Sequence, residues 1–279
     1  MRSKLGADSP LLKHIIPTFG VGCRRPTPGN GYLEALGQEN VRVAIDPIAE
    51  IVPEGIKLAT GEVIPVDVLI CATGFDISFQ PRYPVVGRNG VSLKDQWKRF
   101  PTAYLTLAVP NFPNHFSMRL HDQPVKTVLI TLSVVFLGPS SPVGHGSILP
   151  IIEHATKYML RMIHKCQTQG VKSVEVCQEA VDDFVEHTQT FLQRTAWSTH
   201  CRSWFKNGTI DGPIVALHPG SRIHWFHMLE EPRYEDYKWE YIRRNRFSYL
   251  GNGFSTREDP GKDTAYYFDR PDDGFEFAT

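Results

Sequence analysis

The chain has 279 residues, enough for one large domain or two small ones, and its 41% hydrophobic and 22% charged content is ordinary for a globular protein. Thirty basic residues balance thirty acidic ones, so net charge gives no argument for binding nucleic acid or an anionic membrane surface. The longest apolar stretch, 125–137, is shorter than the roughly 20 residues of a membrane-spanning helix, so we expect a soluble protein without a membrane span.

Five cysteines are scattered along the chain, and none is paired as Cys-x-x-Cys: Cys23, Cys71, Cys166, Cys177 and Cys201. Their odd number and spacing favour reduced thiols in an intracellular protein over a disulfide framework or a zinc site. The N-terminus lacks the apolar core of a signal peptide, so we expect a cytoplasmic protein. We also expect Cys23 and Cys71 to be small packed side chains rather than nucleophiles.

The N-terminal part of the chain is predicted to contain loops followed by short strands. Residues 1–40 are rich in Pro and Gly, which indicates loops with fixed turns. Residues 41–45 alternate in the manner of a strand, and residues 50–59 look like a hairpin that is followed by a turn at 60–62.

The C-terminal part contains the strongest helical patterns. Apolar residues recur at three- and four-residue intervals over 148–169, which predicts an amphipathic helix that stops at Gly170. Residues 171–176 read as a strand or extended link, and a second helix is predicted over about 178–195. The acidic tail from Asp269 is expected to fray.

Residues 67–76, with the sequence DVLICATGFD, form the most informative segment. Residues 68–70 read as a short buried strand, and residues 72–74 are small enough for a flat ligand to approach their backbone closely. The ends of such strands are where open α/β sheets bind their ligands. Taken alone, the pattern is better explained as residues that commonly end a strand and form a turn.

This segment resembles the D-x-(I/V/L)-(I/V)-x-A-T-G-(F/Y) motif of flavin-dependent monooxygenases of the Baeyer–Villiger and related N-hydroxylating type. Further segments match motifs of that family in order and approximate spacing: 22–36 (GCRRPTPGNGYLEAL), 87–97 (GRNGVSLKDQW), 110–116 (PNFPNHF), 138–147 (GPSSPVGHGS), 201–208 (CRSWFKNG) and 218–221 (HPGS). The first of these loops is similar to that of fungal Baeyer–Villiger monooxygenases. The resemblance covers most of the chain, from Phe19 to Gly253.

The resemblance implies an α/β fold, the C-terminal portion of a two-dinucleotide-binding-domain (Rossmann-like) flavoprotein that is incomplete at the N-terminus. It implies an enzyme that uses FAD and NADPH to insert one oxygen atom next to a ketone of a secondary metabolite such as a polyketide. The expected partner is that small-molecule ketone, and no oligomeric state is indicated. Because the sequence has no Gly-x-Gly-x-x-Gly fingerprint for either nucleotide, the alternative is a non-catalytic remnant or binding module.

Arg25 is the residue that the resemblance places opposite the flavin, as the catalytic arginine. Negative charge develops when activated oxygen attacks a ketone carbonyl. A guanidinium stabilises that charge without losing its own proton. The alternative is a loop arginine in solvent or one that pairs with a carboxylate.

The resemblance places the cofactor-binding residues at a strand end, a turn, a helix start and an aromatic loop: Thr73, Gly74, Gly138, Pro139, Ser147 and Trp204. Ser147 and Pro150 open the predicted helix, whose N-terminus suits a polarised oxygen, although simple capping by Ser147 is the alternative. Trp204 is similar to the tryptophan that contacts the nicotinamide nucleotide, and a core aromatic is its alternative.

Three histidines near one another in sequence raise the question of a metal: His218, His224 and His227. Their spacing fits no helix face well, and no cysteine or carboxylate joins them at ligand spacing. We therefore predict no metal site.

The predicted organisation has four parts: 1–117, a partial nucleotide-binding region; 118–136, an insertion; 137–268, the helical part of the FAD domain with an aromatic cap; and 269–279, a flexible tail. About eighteen residues near 119–136 separate two motifs that almost adjoin in relatives. We interpret them as foreign to the fold, such as a retained intron, and a spliced transcript that still encodes them would contradict this. Without the strands that precede it in relatives, the 68–70 run is expected to form an exposed apolar edge of a marginally stable fold.

Overall fold

In a computed structural model of the protein, the described residues are 1–24, 29–74, 76–116, 133–134, 138–144, 146–265 and 268. The helices and strands follow in chain order: α1 Arg2–Leu5, α2 Leu12–Ile15, α3 Tyr32–Ala35, β1 Ile48–Val52, β2 Gly55–Leu58, β3 Val63–Pro65, α4 Leu93–Gln96, β4 His115–Phe116, β5 Ser133–Val134, α5 Leu149–Thr168, β6 Val171–Val176, α6 Gln178–Leu192, α7 Arg222–Glu230 and β7 Tyr237–Tyr241. Short 3-10 turns lie between them: Arg88–Gly90, Ala196–Ser198, Trp204–Lys206, Tyr234–Asp236, Ser248–Leu250 and Thr256–Glu258.

Three small sheets form within these residues. Strands β1, β2 and β3 make an antiparallel sheet in chain order, in which Ile56 is the partner of both Ile51 and Ile64. Strands β6 and β7 pair antiparallel, with Val174 opposite Trp239, and the two-residue strands β4 and β5 pair parallel. The hairpin predicted at residues 50–59 is thereby confirmed.

The main core is built by α5, β6, α6, α7 and β7. Helix α5 directs one apolar face inward, and its buried residues are Ile151, Ala155, Tyr158, Met159, Met162 and Cys166. This face packs against β6 and against α7, where Trp225 and Leu229 are buried. The periodicity of three and four residues that predicted the helix therefore also identified its buried face.

The predicted boundaries in this region agree closely with the structure. Helix α5 ends at Thr168, Gly170 has a left-handed φ of 63°, and β6 follows directly. Helix α6 ends at Leu192, three residues before the predicted end near 195. These elements are confirmed, and their apolar faces pack on one another and on residues such as Tyr104, Leu107 and Phe116.

Two predicted strands are wrong. Residues 41–45 have no regular secondary structure, and neither do residues 68–72, although the hairpin between them forms. A run that is apolar on both faces needs neighbours on both sides, and the described residues place none beside 68–70. Val68 is 75% exposed and Ile70 is 85% exposed, so the run is exposed as predicted, but without a strand it forms no sheet edge.

The prediction of reduced, scattered cysteines is also wrong for one pair. Cys23 and Cys201 form a disulfide with Cα atoms 6.2 Å apart, across a sequence separation of 178 residues. The remaining three are free, and Cys71 is exposed rather than packed as predicted. The number and spacing of cysteines in a sequence cannot reveal a pair that the tertiary fold brings together.

Several predictions concern residues that lie outside the described part of the chain. Arg25 is among them, as are the tail 269–279 and the 118–136 segment apart from the backbone of Ser133 and Val134. The four-part domain organisation stays a prediction. Among the described helices, none combines the length and the apolar character needed to span a bilayer.

Candidate functional site

Residues 196–218, here called the central segment, contact three of the segments that the sequence singled out. These are the loop 20–24, the segment 76–79 that follows the ATG motif, and the Gly-Pro turn at 138–144. The contacts are a disulfide, backbone hydrogen bonds and close packing. Segments far apart in sequence therefore meet at one place.

The loop 20–24 lies directly against the start of the central segment. A Cβ placed on Gly22 would lie 3.2 Å from the Ala196 Cβ, and one on Gly20 would lie 3.3 Å from the Thr199 Cγ2. Because Gly22 also has a φ of 100°, a side chain there would be strained as well as crowded. The Cys23–Cys201 disulfide joins the same two surfaces, two residues before Arg25 in the chain.

The Gly-Pro turn is held by backbone hydrogen bonds to the end of the central segment. The Ser140 N–H donates to the Val215 carbonyl at 2.8 Å, and the Ser141 N–H donates to the Ala216 carbonyl at 2.9 Å. The His218 N–H donates back to the Ser141 carbonyl at 3.0 Å. These bonds make the turn a short parallel extension of the central segment, so Gly138 and Pro139 are buried beside it.

Thr106 fixes the start of this turn, and the sequence analysis missed it. Its buried hydroxyl donates to the Gly138 carbonyl at 2.8 Å. Thr106 has a φ of 68°, a conformation that is unusual for a β-branched residue and that clusters at functional sites. No local signal in the sequence indicates this role, because the partner lies 32 residues away.

Trp204 is on the surface of the central segment rather than in the core. Its side chain is 39% exposed, and its ring stands edge-on to that of Phe205 with centroids 6.0 Å apart. Phe205 is the buried member of the pair and packs with Ile214 and Leu217. The core alternative for Trp204 is therefore wrong, whereas its contact with a nicotinamide nucleotide stays a prediction.

Lys206 holds the loop that carries Trp204, and no pattern in the sequence indicates this role. Its side chain is buried, and the Nζ ammonium donates to the carbonyls of Ser198, Thr199 and Ile210 at 3.3, 2.7 and 2.9 Å. All three protons of the ammonium are thus satisfied by backbone oxygens. The side chain therefore closes the loop that carries Trp204.

Thr73 and Gly74 lie at an open part of the surface. Both are exposed, and Gly74 has a φ of 85°, with no other described residue within 4 Å of where a Cβ would stand. They connect to the central segment through Ile77, whose Cδ1 lies 3.7 Å from the Cβ position of Gly208. The backbone of Gly74 is therefore accessible, as a ligand-binding strand end requires, but the strand that should precede it is not formed.

Ser147 is exposed just before α5. Its Oγ accepts a hydrogen bond from the Leu149 N–H at 3.2 Å, and Pro150 lies within the first turn of the helix. The Ser147 carbonyl accepts a hydrogen bond from the Arg222 guanidinium at 3.5 Å. The N-cap residue of α5 is Ile148, which has no side-chain cap, so Ser147 is not the helix cap; a role for Ser147 in flavin binding stays a prediction.

A buried polar cluster lies behind the Gly-Pro turn. Neither ring nitrogen of His218 has a hydrogen-bond partner among the described residues, and the same holds for the Ser141 Oγ. Burial, with smaller effects of His224 and His187, lowers the pKa of His218 to about 3. Within the described residues no three His, Cys, Asp or Glu side chains group as a metal site would need.

With this geometry established, comparison with known proteins identifies the fold. No protein-family model matches the chain. FAD-binding monooxygenase stcW of Emericella nidulans is 37% identical over 91% of this chain and 39% of its own length. A Baeyer–Villiger monooxygenase of Pseudomonas aeruginosa is 29% identical over 76% of this chain and 37% of its own length. The crystal structure of cyclohexanone monooxygenase from Rhodococcus sp. Phi1 bound to NADP⁺ superposes with a TM-score of 0.70 at 26% identity, over 86% of this chain and 44% of that one.

The chain is homologous to the C-terminal part of the Baeyer–Villiger-type flavin monooxygenases. This confirms the predicted fold class, the C-terminal portion of an α/β flavoprotein. The chain spans about two fifths of the length of the curated relatives it matches. The match to the flavin monooxygenases extends over the segments that meet at the central segment, which makes this the candidate functional site.

Proposed function

We propose that the chain forms one wall of the FAD and NADPH site of a Baeyer–Villiger-type monooxygenase, which inserts an oxygen atom next to a ketone of a secondary metabolite such as a polyketide. The observation that carries the proposal is the convergence of three motif-bearing segments on residues 196–218. The resemblance assigns Gly138 and Pro139 to the cofactor site, and the other two segments adjoin Arg25 and Thr73–Gly74, which it assigns to chemistry and to the cofactor. Contacts of all three with one segment are what a shared site requires.

The residues present fit a flavin and a nicotinamide nucleotide at this wall. Gly74 offers accessible backbone without a side chain. The Gly138–Pro139 turn is buried against the central segment, so it holds the wall in position and offers no open surface. Trp204 offers an open aromatic ring, a surface on which a nucleotide base or nicotinamide stacks. The sequence has no glycine fingerprint for a pyrophosphate, so that part of the binding has to come from elsewhere in a complete enzyme.

In this proposal the bound FAD, reduced by NADPH, supplies the activated oxygen. Arg25 follows directly on the loop that the disulfide attaches to the central segment, and its guanidinium stabilises the negative charge that develops on the ketone oxygen. Thr106 and Lys206 bind neither cofactor and instead hold the Gly-Pro turn and the Trp204 loop in position. We also propose the cytoplasm as the compartment, which fractionation of cells that express the tagged chain tests.

A graft tests the proposal, with the full chain replacing the matching part of the stcW relative. We expect a yellow protein with near-stoichiometric flavin and NADPH oxidation that increases with a ketone substrate. Arg25→Ala should retain the flavin and lose ketone oxygenation by at least about a hundredfold, since removing a group that stabilises developing charge costs that much. A graft that contains stoichiometric flavin but shows no dependence on Arg25 would contradict the assignment.

A matched pair of tryptophan variants tests the nucleotide contact. In the graft, Trp204→Phe should raise the KM for NADPH by about tenfold, because an indole face is lost at the open ring. Trp239→Phe serves as the control, since Trp239 lies on β7 and pairs with β6. Equal KM values for the two variants would remove Trp204 from the site. A colourless graft would favour the non-catalytic alternative.

A further inference from the structure

The Cys23–Cys201 disulfide connects the two loops that carry the residues assigned to chemistry and to the nucleotide. Cys23 stands two residues before Arg25, and Cys201 stands three residues before Trp204. Both cysteines are nearly buried, at 1% and 6% exposed. Breaking this bond would remove the covalent link between these two functional loops.

The two sides of the disulfide differ in how else they are held. On the Cys201 side, the Lys206 ammonium bonds to the carbonyls of Ser198 and Thr199 and closes the loop independently of the disulfide. On the Cys23 side the chain forms a turn that contains two glycines. Gly20 packs against Thr199, and Gly22 packs against Ala196. Reduction should therefore leave the Trp204 loop in place and release the loop that leads to Arg25.

We propose that Cys23 and Cys201 form a redox-modification site at which reduction detaches the loop before Arg25 from the Trp204 loop. This inference rests on the proposed function for its consequence and on the proposed cytoplasmic compartment for its redox setting. In a cytoplasmic protein, thiol-reducing systems keep most cysteines reduced, so a disulfide there is typically transient or redox-sensing rather than a permanent staple. Its position between two functional loops gives such a change a direct effect on the site.

The exchange needs a dithiol reductant. One thiolate of the reductant attacks a sulfur of the pair, forming a mixed disulfide and expelling the other cysteine as a thiolate. Cys201 is the more exposed member, so attack is expected at its sulfur, with Cys23 as the leaving group. The second thiol of the reductant then displaces Cys201. The net result is two cysteine thiols and one oxidised reductant, with two electrons and two protons transferred to the protein.

The test uses the full chain, with tryptic cleavage after Arg24 as the reporter of the released loop, because Arg24 is exposed beside Cys23. The oxidised chain should expose three thiols on denaturation and the reduced chain five. Reduction should raise the cleavage rate after Arg24 by at least about tenfold, as expected when local opening becomes about 1.4 kcal/mol easier. Cleavage after Lys157, exposed in α5, should not change.

Variants and redox buffers distinguish a reversible redox site from a permanent structural disulfide. Cys201→Ser should reproduce the reduced pattern without a reductant, while Cys71→Ser, which alters an exposed free cysteine, should behave like the parent. Equal acceleration at Arg24 and Lys157 would show global unfolding and would overturn the proposal. So would five free thiols before reduction, no acceleration at Arg24, or a pair that stays oxidised in a reducing glutathione buffer. None of these readouts involves flavin or NADPH, so their failure leaves the proposed function standing.

In the graft, the same reduction should lower ketone-dependent NADPH oxidation by at least about fivefold and reoxidation should restore it, since misplacing a charge-stabilising group weakens the transition state. Cys201→Ser should remain at the reduced level under both conditions. Unchanged turnover after confirmed opening of the pair would contradict the regulatory role. A graft that is inactive while still oxidised would instead contradict the proposed function.

Discussion

Two regions of this chain contain similar apolar runs, which are buried in one region and exposed in the other. In residues 146–241, Tyr158, Met162 and Trp225 are completely buried between helices and a sheet that follow one another in sequence. In residues 41–74, which we call the open face, Val68 and Ile70 are largely exposed and form no strand. Apolar sequence becomes buried structure only where the packing partner is also supplied, and the first region packs within itself and against Tyr104, Leu107 and Phe116.

The comparison also explains where the candidate site lies. The Trp204 loop belongs to the first region, the Gly-Pro turn is hydrogen-bonded to that region, and several buried hydrogen bonds hold both. Thr73 and Gly74 belong to the open face, where no described residue beyond the chain neighbours comes within 4 Å of the Cβ position of Gly74. The site therefore has a firmly held part and a part whose supporting strand is not formed in this chain.

The largest expected contrast comes from removing the same side chain in the two regions. Ile151→Ala should lower the free energy of unfolding by about 2–5 kcal/mol, because it leaves a cavity in the core. Ile70→Ala should change it by less than about 0.5 kcal/mol, because the side chain is already in solvent. Urea denaturation of the full chain measures both values. Equal losses would mean that Ile70 is buried and that the two regions do not differ.

The next effect concerns the firm part of the site. Lys206→Met keeps the length of the side chain but removes the donors to three backbone carbonyls, so we expect a loss of about 1–3 kcal/mol in the free energy of unfolding. Lys157→Met, at an exposed position of α5, is the matched control and should cost less than about 0.5 kcal/mol. Chemical denaturation of both variants decides the question. Parent-like stability of Lys206→Met would show that the three bonds do not hold the loop.

A dependence on pH is expected from the buried histidines. Burial lowers the pKa of His115 to about 4, and burial together with His224 and His187 lowers that of His218 to about 3. An unfolded histidine titrates near 6.5, so below that pH the unfolded chain binds more protons than the folded chain. Stability is therefore fully present above about pH 6.5 and falls towards pH 4, by about 1.4 kcal/mol per pH unit for each buried histidine.

His218→Phe tests this assignment, because Phe retains the aromatic ring that stacks on Phe184 and does not titrate. Between pH 6 and 4.5 its slope of stability against pH should be smaller than that of the parent by about 1.4 kcal/mol per unit. His164→Phe, at an exposed position, should leave the slope unchanged. Urea midpoints measured at several pH values give the slopes. A parent-like slope for His218→Phe would show that His218 is accessible and free to ionise.

The smallest effect is expected at Thr106. Thr106→Val keeps the shape and the left-handed backbone but leaves the buried Gly138 carbonyl without its hydroxyl donor, so we expect a loss of about 1–2 kcal/mol. Thr106→Ser, which retains the hydroxyl, should recover part of this loss. Thermal or urea unfolding of the two variants measures the difference. A Ser variant less stable than the Val variant would assign the cost to the methyl group and not to the hydrogen bond.

The sequence predicted the elements whose pattern and partners are local. The hairpin β1–β2, helix α5, strand β6 and helix α6 follow from periodicity and from turns at positions such as Gly170, and all are present. The run at 68–70 has an equally clear pattern, but a strand buried on both faces needs neighbours that the described residues do not provide. Local propensity therefore identified this run as apolar but did not predict that it forms no strand.

The site could be predicted as a set of motifs but not as a geometry. The motifs indicated the Gly-Pro turn and the Trp204 loop, whose contacts the structure then shows. Thr106, Lys206 and the Cys23–Cys201 pair were missed, because their roles depend on contacts made by the folded chain. For Thr106 and the disulfide the partners lie 32 and 178 residues away in sequence. Such contacts leave no local pattern to read.

Hydrogen exchange of the isolated chain and of the stcW graft tests the central claim most directly, namely that this chain is one wall of a flavin site whose open face is completed in the whole enzyme. Amides of β6 should be protected in both proteins. Amides of residues 68–72 should exchange rapidly in the isolated chain and become at least about a hundredfold more protected in the graft. Strong protection of 68–72 in the isolated chain, or no gain of protection in the graft, would contradict the account.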